Sequence, residues 1–396
     1  MKTIRKNIGL ILLLYLSASN AFAQNVDFGT NDYIEYQIGT LPLIISVSHG
    51  GNLEPASMPD RTCYNPVYAV DAFTIETALE IKNLLFTKTG CYPHIIISHL
   101  KRNKLDPNRN IAEGACGNQE AITAWQEFHN FIATARNTAN QQYNYKTFFV
   151  DLHGHGNPIQ RVELGYLLYD DELELPDITL NTIQYINYSS IKNLVTSNVN
   201  NYTHAQLLRG PFAFGTLLAN QNYPAVPSQN IPFPGTNSNY FSGGYITANH
   251  TSYDPTAPIN GLQMELNFTN IRDTPTNRTE FANAFADAII EYMNTHFNPS
   301  WNTCNPLSTT NPSLDKAFSV YPNPVSGGEQ IHFNIPEGNI YEYELFNLHG
   351  QLIDKGVLDS ESTIDSKEYN SGLYLLKLWS DSKKTNVFKT VKIIIQ

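Results

Sequence analysis

The chain has 396 residues, of which 41% are hydrophobic and 15% charged, which excludes a wholly disordered protein and leaves room for more than one domain. A formal net charge of -11 argues against a nucleic-acid partner, because no dense Lys/Arg surface is available to meet a polyanion. The cysteines, at 63, 91, 116 and 304, are too few for a disulfide scaffold and include no Cys-x-x-Cys pair, which disfavours structural zinc and thioredoxin-like redox chemistry.

Lys2, Arg5 and Lys6 precede a short apolar run from Ile8 to Leu16, and Ala21-Phe22-Ala23 supplies a small-residue cleavage site. Residues 1–23 therefore read as a secretory signal peptide, with Gln24 the first mature residue. No later stretch reaches the ~18 apolar residues of a membrane span, so no transmembrane anchor is expected. Export permits a disulfide among Cys63, Cys91 and Cys116, with the pairing open.

From about residue 40 to 300, apolar strand patterns alternate with helical ones. Leu43–Ser48 reads as a buried strand stopping at His49-Gly50-Gly51, Asp71–Lys88 as a helix ended by Gly90, and His94–Ser98 as a second strand. A helix is expected over 118–143, then a strand over Phe148–Leu152 running into His153-Gly154-His155. Between 176 and 260 the pattern is weak and rich in Asn, Tyr, Pro and Gly. Gly261–Asn267 alternates as a strand, and Thr279–Phe297 is a helix with Phe281, Phe285, Ile289 and Met293 on one side. This grammar predicts an α/β fold whose mixed, largely parallel sheet is covered on both faces by helices.

Ser, Thr, Asn and Pro crowd together near 306–315, and only short β-type runs separated by turn residues follow. The expected organisation is a catalytic domain over 24–306, a linker over 307–316 and a small antiparallel β-sandwich over 317–396. The sandwich contains no cluster of catalytic residue types, which suits an adaptor or an address.

In open α/β sheets ligands sit at the carboxyl ends of the strands. His49 and His153 each close an apolar strand there, each followed by glycine, and Glu54 lies in the loop just beyond His49. Two imidazoles and a carboxylate with a fourth position open is the ligand set of a catalytic zinc. His155 is an alternative third ligand to Glu54, or a group that contacts substrate, and Asp151 either orients an imidazole or closes the strand. Arg109, in Asp106-Pro107-Asn108-Arg109, is placed to grip a carboxylate, a role a surface salt bridge would imitate. Glu265, on the polar side of its strand, is the candidate general base. Arg161 and Arg209, in loops past the histidine strand, are candidate cations for a developing oxyanion.

Ser48-His49-Gly50-Gly51, Asp106-Pro107-Asn108-Arg109, Asp151-Leu152-His153-Gly154 and Leu262-Gln263-Met264-Glu265-Leu266-Asn267 resemble, in that order, motifs of the N-formylglutamate amidohydrolase family. That family is a branch of the zinc carboxypeptidase-like fold, and the resemblance covers about 40–295. It implies zinc on His49, Glu54 and His153, a substrate carboxylate on Asn108 and Arg109, and Glu265 as base. The gap between His49 and Glu54 is longer than the His-x-x-Glu of the carboxypeptidases. Val320-Tyr321-Pro322-Asn323-Pro324, Asn347-Leu348-His349-Gly350 and Ser371-Gly372-Leu373-Tyr374 resemble the C-terminal sorting domain of the type IX secretion system of Bacteroidetes, over about 315–396. The expectation is an exported, monomeric zinc hydrolase that cleaves an amide of a small N-acyl amino acid or peptide. It would cross the periplasm and reach the outer-membrane surface or the medium through the type IX machinery. The competing readings are a surface binding protein on a decayed hydrolase fold, and a cell-wall peptide amidase or carboxypeptidase.

Overall fold

Eight strands form one sheet in the order β1-β2-β4-β3-β5-β8-β6-β7. They are β1 (Val26–Phe28), β2 (Ile34–Gln37), β3 (Leu43–Val47), β4 (His94–Ser98), β5 (Phe148–His155), β6 (Val162–Gly165), β7 (Ala225–Val226) and β8 (Asn260–Asn267). The computed structural model describes residues 24–235, 239–297, 319–335, 340–347, 351–379 and 387–396. The expected signal peptide, 1–23, and linker, 307–316, lie outside the described residues. The chain divides into two compact units, Met1–Cys304 and Asn305–Gln396.

The sheet is mixed with a parallel centre, as the sequence pattern leads one to expect. β4-β3-β5-β8 and β6-β7 pair parallel, whereas β1-β2, β2-β4 and β8-β6 pair antiparallel. The parallel centre carries the continuous apolar runs, because both of its faces are covered. Leu43, Ile45, Val47, Phe148, Val150, Leu262 and Met264 pack on one face against Ile81 and Leu85 of α1 (Thr74–Thr89). Phe281, Phe285, Ile289 and Met293 of α3 (Pro275–His296) complete that core. On the other face Ile44, Ile96 and Phe149 meet Ala124, Phe128 and Ile132 of α2 (Gln119–Tyr143).

The helix ends follow local chemistry. Asn118 caps α2 by accepting from the Ala121 N–H, and Thr274 caps α3 by accepting from the Asn277 N–H, with Pro275 in the first turn. Gly90 ends α1 with φ +76°, where a side chain would be strained. Between β6 and β8 the chain forms helices of four to seven residues, too short to leave a readable period.

In the second unit the strands among the described residues pair antiparallel, with one isolated parallel bridge from Val325 to Ile395. One sheet has β9 (Ser319–Tyr321), β10 (Gln330–Asn334) and β13 (Thr363–Asp365). The other has β11 (Tyr341–Asn347), β12 (Leu352–Leu358), β14 (Gly372–Trp379) and β15 (Val387–Ile395). Ile331 and Phe333 from the first sheet and Leu345, Leu376 and Ile393 from the second share one core.

Burial pushes the imidazoles of His94, His129 and His204 down from 6.5 to about 4. Each stays neutral when folded at pH values where the unfolded chain already binds a proton. The protein is therefore expected to lose stability as pH falls from about 6.5 towards 4, and urea midpoints measured across that window should fall with pH.

Candidate metal centre

Alternation along the central strands decides what reaches the sheet edge. Leu152, Leu262, Met264 and Leu266 enter the core under α1 and α3. The intervening Asp151, His153, Gln263 and Glu265 are buried too, on the opposite face. The parallel register of β5 and β8 sets Asp151 beside Gln263 and His153 beside Glu265.

His49 follows β3, and its carbonyl accepts from the Asp71 N–H at 3.0 Å, which brings the loop before α1 over the sheet edge. Asp71 thereby joins His49 and His153 in a buried group whose potential ligand atoms all lie within 4.8 Å of one another. Asp71 Oδ2 is 3.1 Å from His153 Nδ1 and 3.5 Å from His49 Nδ1. The far nitrogen of each ring faces a second carboxylate: His49 Nε2 is 2.7 Å from Asp106 Oδ1, and His153 Nε2 is 2.9 Å from Asp151 Oδ2. Those carboxylates are themselves held, Asp151 by the Ser46 hydroxyl at 2.7 Å and Asp106 by Arg102 Nε at 3.1 Å and the Asn108 N–H at 3.0 Å.

The electrostatics follow from this packing. Burial opposes ionisation of Asp71, but the hydrogen-bonded His153 ring and the nearby His49 ring outweigh it and hold the carboxyl well below the usual range. Burial would depress His153, yet Asp151 and Asp71 raise it well above 6.5. Burial pushes Glu265 up to about 8, with Asp71 and Asp151 adding to the shift and His153 and Gln263 opposing it.

The group fits a metal ion on its own geometry. His49 Nδ1 is buried without a hydrogen-bond partner and faces the Asp71 carboxylate. Two imidazole nitrogens and a carboxylate oxygen make a zinc-type donor set. Carboxylates behind both rings are the usual outer support of metal-bound histidines.

The structure thus brings His49 and His153 together and leaves Glu54 outside. The Glu54 carboxylate is exposed, bonded to Lys101 Nζ at 2.5 Å and Asn103 Nδ2 at 2.9 Å. His155 is no substitute, since its Nε2 is 2.8 Å from the Arg161 carbonyl and its Nδ1 accepts from the Asn157 N–H. Asp71, read from sequence only as the start of a helix, takes the third place. Asn108 is buried, with Nδ2 3.4 Å from His153 Nε2 and Oδ1 accepting from the Ile246 N–H. Arg109 is exposed and lines a cavity of about 310 Å³ with Arg61, Tyr64, Asp106 and Glu113. Arg209 is spent on Asp177 and on the carbonyls of Leu173 and Leu175, which removes it as an oxyanion candidate. Cys63 and Cys116 form a disulfide beside that cavity, fixing one pairing that the sequence left open.

Residues 319–396 match the secretion system C-terminal sorting domain family. That domain indicates type IX secretion to the cell surface or beyond, and no helix among the described residues is long and apolar enough to cross a membrane. None of the curated proteins matches the chain. Among solved structures, the gene product Atu2144 from Agrobacterium tumefaciens is 10% identical, with a TM-score of 0.37, over 66% of this chain and 94% of that one. A metallo-carboxypeptidase from Pseudomonas aeruginosa, in complex with (2-guanidinoethylmercapto)succinic acid, is 8% identical, with a TM-score of 0.27, over 66% of this chain and 61% of that one.

Metal content after dialysis separates the two third-ligand assignments. Asp71→Asn and His49→Ala are expected to lose the metal, and Glu54→Gln to keep it. Asp106→Asn should weaken metal affinity by about 10–100-fold, the usual cost of removing an outer carboxylate.

Proposed function

We propose that this protein is an exported zinc hydrolase that cleaves an amide bond in a small N-acyl amino acid or peptide. The observation that carries the reading is the buried His49–Asp71–His153 group with a carboxylate behind each ring and Glu265 on the neighbouring strand. The order of short motifs resembling the N-formylglutamate amidohydrolase family supports it independently.

A zinc ion held by His49, Asp71 and His153 would acidify a bound water and polarise the scissile carbonyl. Asp106 and Asp151 keep the two rings oriented. Glu265 takes the proton of the attacking water and returns it to the leaving nitrogen. Its burial beside Asp71 keeps it protonated to about pH 8, and a positive charge at the site restores the carboxylate that base catalysis requires. Asn108, against His153, and Arg109, on the rim of the cavity beyond Asp106, contact the substrate.

Purified protein should turn over at least one compound among N-acyl amino acids, small peptides and cell-wall peptides, and a chelator should abolish the turnover. Glu265→Gln should keep its metal and lose kcat by about 10²–10⁴-fold. Absence of chelator-sensitive turnover across that set would favour a surface binding protein instead. A chain lacking residues 319–396 should accumulate in the periplasm, which fractionation and immunoblotting would read directly.

A further inference from the structure

The loop Asp106-Pro107-Asn108-Arg109 presents two side chains to the candidate centre, Asp106 behind His49 and Asn108 beside His153. Its backbone is held from α2. Trp125 Nε1 donates to the Arg109 carbonyl at 2.9 Å, and His129 Nε2 lies 3.1 Å from the Pro107 carbonyl. Trp125 and His129 are four residues apart and so share one face of the helix. The short helix Tyr245–His250 closes the other side, its Ile246 N–H donating to Asn108 Oδ1 at 2.9 Å. A Cβ added at Gly244 would stand 2.5 Å from Asn108 Nδ2, so this side leaves the amide no slack.

His129 does not act alone. Its Nδ1 is 2.7 Å from His250 Nε2, the one hydrogen bond between two imidazoles among the described residues. His250 Nδ1 in turn lies 3.5 Å from Arg136 Nη1, which also reaches the Asn249 carbonyl at 3.5 Å. A neutral imidazole has one donor and one acceptor nitrogen, a guanidinium only donates and a carbonyl only accepts. One arrangement therefore satisfies every member: Arg136 donates to His250, His250 to His129, and His129 to Pro107. Both rings are buried, and burial holds His250 well below 6.5, with His129 and Arg136 adding to the shift. The other charges acting on this chain are Asp151, on His129, and Asp254, on Arg136. Packing alone would be served by apolar side chains, which bring no buried polar nitrogens to match.

We propose that the Arg136–His250–His129 chain is a positioning device for the candidate centre. By fixing a proton on His129 Nε2 it pins the Pro107 carbonyl, and with it the Asp106 carboxylate behind His49 and the Asn108 amide against His153. The assignment rests on the metal-centre reading but is tested without catalysis. In the full chain labelled with ¹⁵N-histidine, a spectrum of couplings across hydrogen bonds at neutral pH should show one imidazole pair, both rings neutral and both protonated on Nε2. A charged ring in that pair, or a proton on Nδ1 of the accepting ring, would overturn the proposal whether or not any variant folds. Zinc affinity, measured by competition with a chromogenic chelator, should fall about tenfold in His129→Phe, the lower end of what loss of outer support costs a metal site. His129→Gln, whose amide N–H can replace the Nε2 donor, should bind zinc as the unaltered protein does. So should His204→Phe, the same change at a buried histidine that bonds only the Leu180 carbonyl. Undiminished affinity in cooperatively folding His129→Phe, or no rescue by His129→Gln, would overturn the proposal. Should His129→Phe fail to fold, His250→Leu, which strips His129 Nδ1 of its donor, is read in the same way. An unaltered protein that binds no zinc would instead sink the metal-centre reading itself.

Discussion

The carboxylate of Asp71 is buried, and much of the first unit is arranged around keeping it ionised there. A buried carboxylate without compensation is expensive enough that it normally takes up a proton. Asp71 is held well below the ordinary range because two imidazoles and the Gly154 N–H converge on it. Those imidazoles are themselves backed by Asp106 and Asp151, and these in turn by Arg102 and Ser46. Removing one member strands the next, which makes the group costly to dismantle piecemeal. Gly154 illustrates how closely it is packed: a Cβ added there would stand 2.3 Å from the Arg272 guanidinium carbon.

The division of labour in the sheet comes from alternation. Every second residue of β5 and β8 supplies the core beneath α1 and α3, so the same strands can present His153 and Glu265 on the other face without weakening that core. Near the amino ends of the strands that second face is apolar, with Ile44 and Phe149 under α2. Towards the carboxyl ends it becomes polar, where parallel strands and their following loops place ligands. The fold therefore separates stability from chemistry along one strand axis rather than between layers.

This explains what could be read in the sequence. His49 and His153 were legible because each ends an apolar run, and Glu265 because it falls on the polar parity of an alternating strand. Asp71 was not, since its contribution depends on the loop before α1 folding back to bond the His49 carbonyl, a contact with no local signature. Glu54 was misleading for the opposite reason. It is near His49 in sequence, but the intervening loop leads outward, where Lys101 and Asn103 bind it. The long helices were legible from their caps and periodicity. β6 was missed as a strand of only four residues, and its antiparallel pairing with β8 adds to the mixed character that β1 and β2 give the other edge. Arg161, at its start, was noticed only as one of two loop arginines. Its burial and its unmatched nitrogen belong to the folded structure alone.

The charge balance of the centre indicates which kind of ligand it suits. Asp71, Asp106, Asp151 and Glu265 are all buried in one neighbourhood, and His49 and His153 are the imidazoles set among them. Arg102 and Arg61 offset Asp106, and the buried Arg272 guanidinium acts on Asp71 and Glu265, which together with Asp151 also face two rings. The excess negative charge is relieved by protons: His153 holds one well above the ordinary imidazole range, and Glu265 holds one to about pH 8. A divalent cation would do the same work with a fixed charge, displacing protons as it bound, because metal-ligating imidazole must give up its proton on the ligating nitrogen. The protein environment that makes Glu265 a poor base when protonated is therefore the one that a cation would convert into a good one.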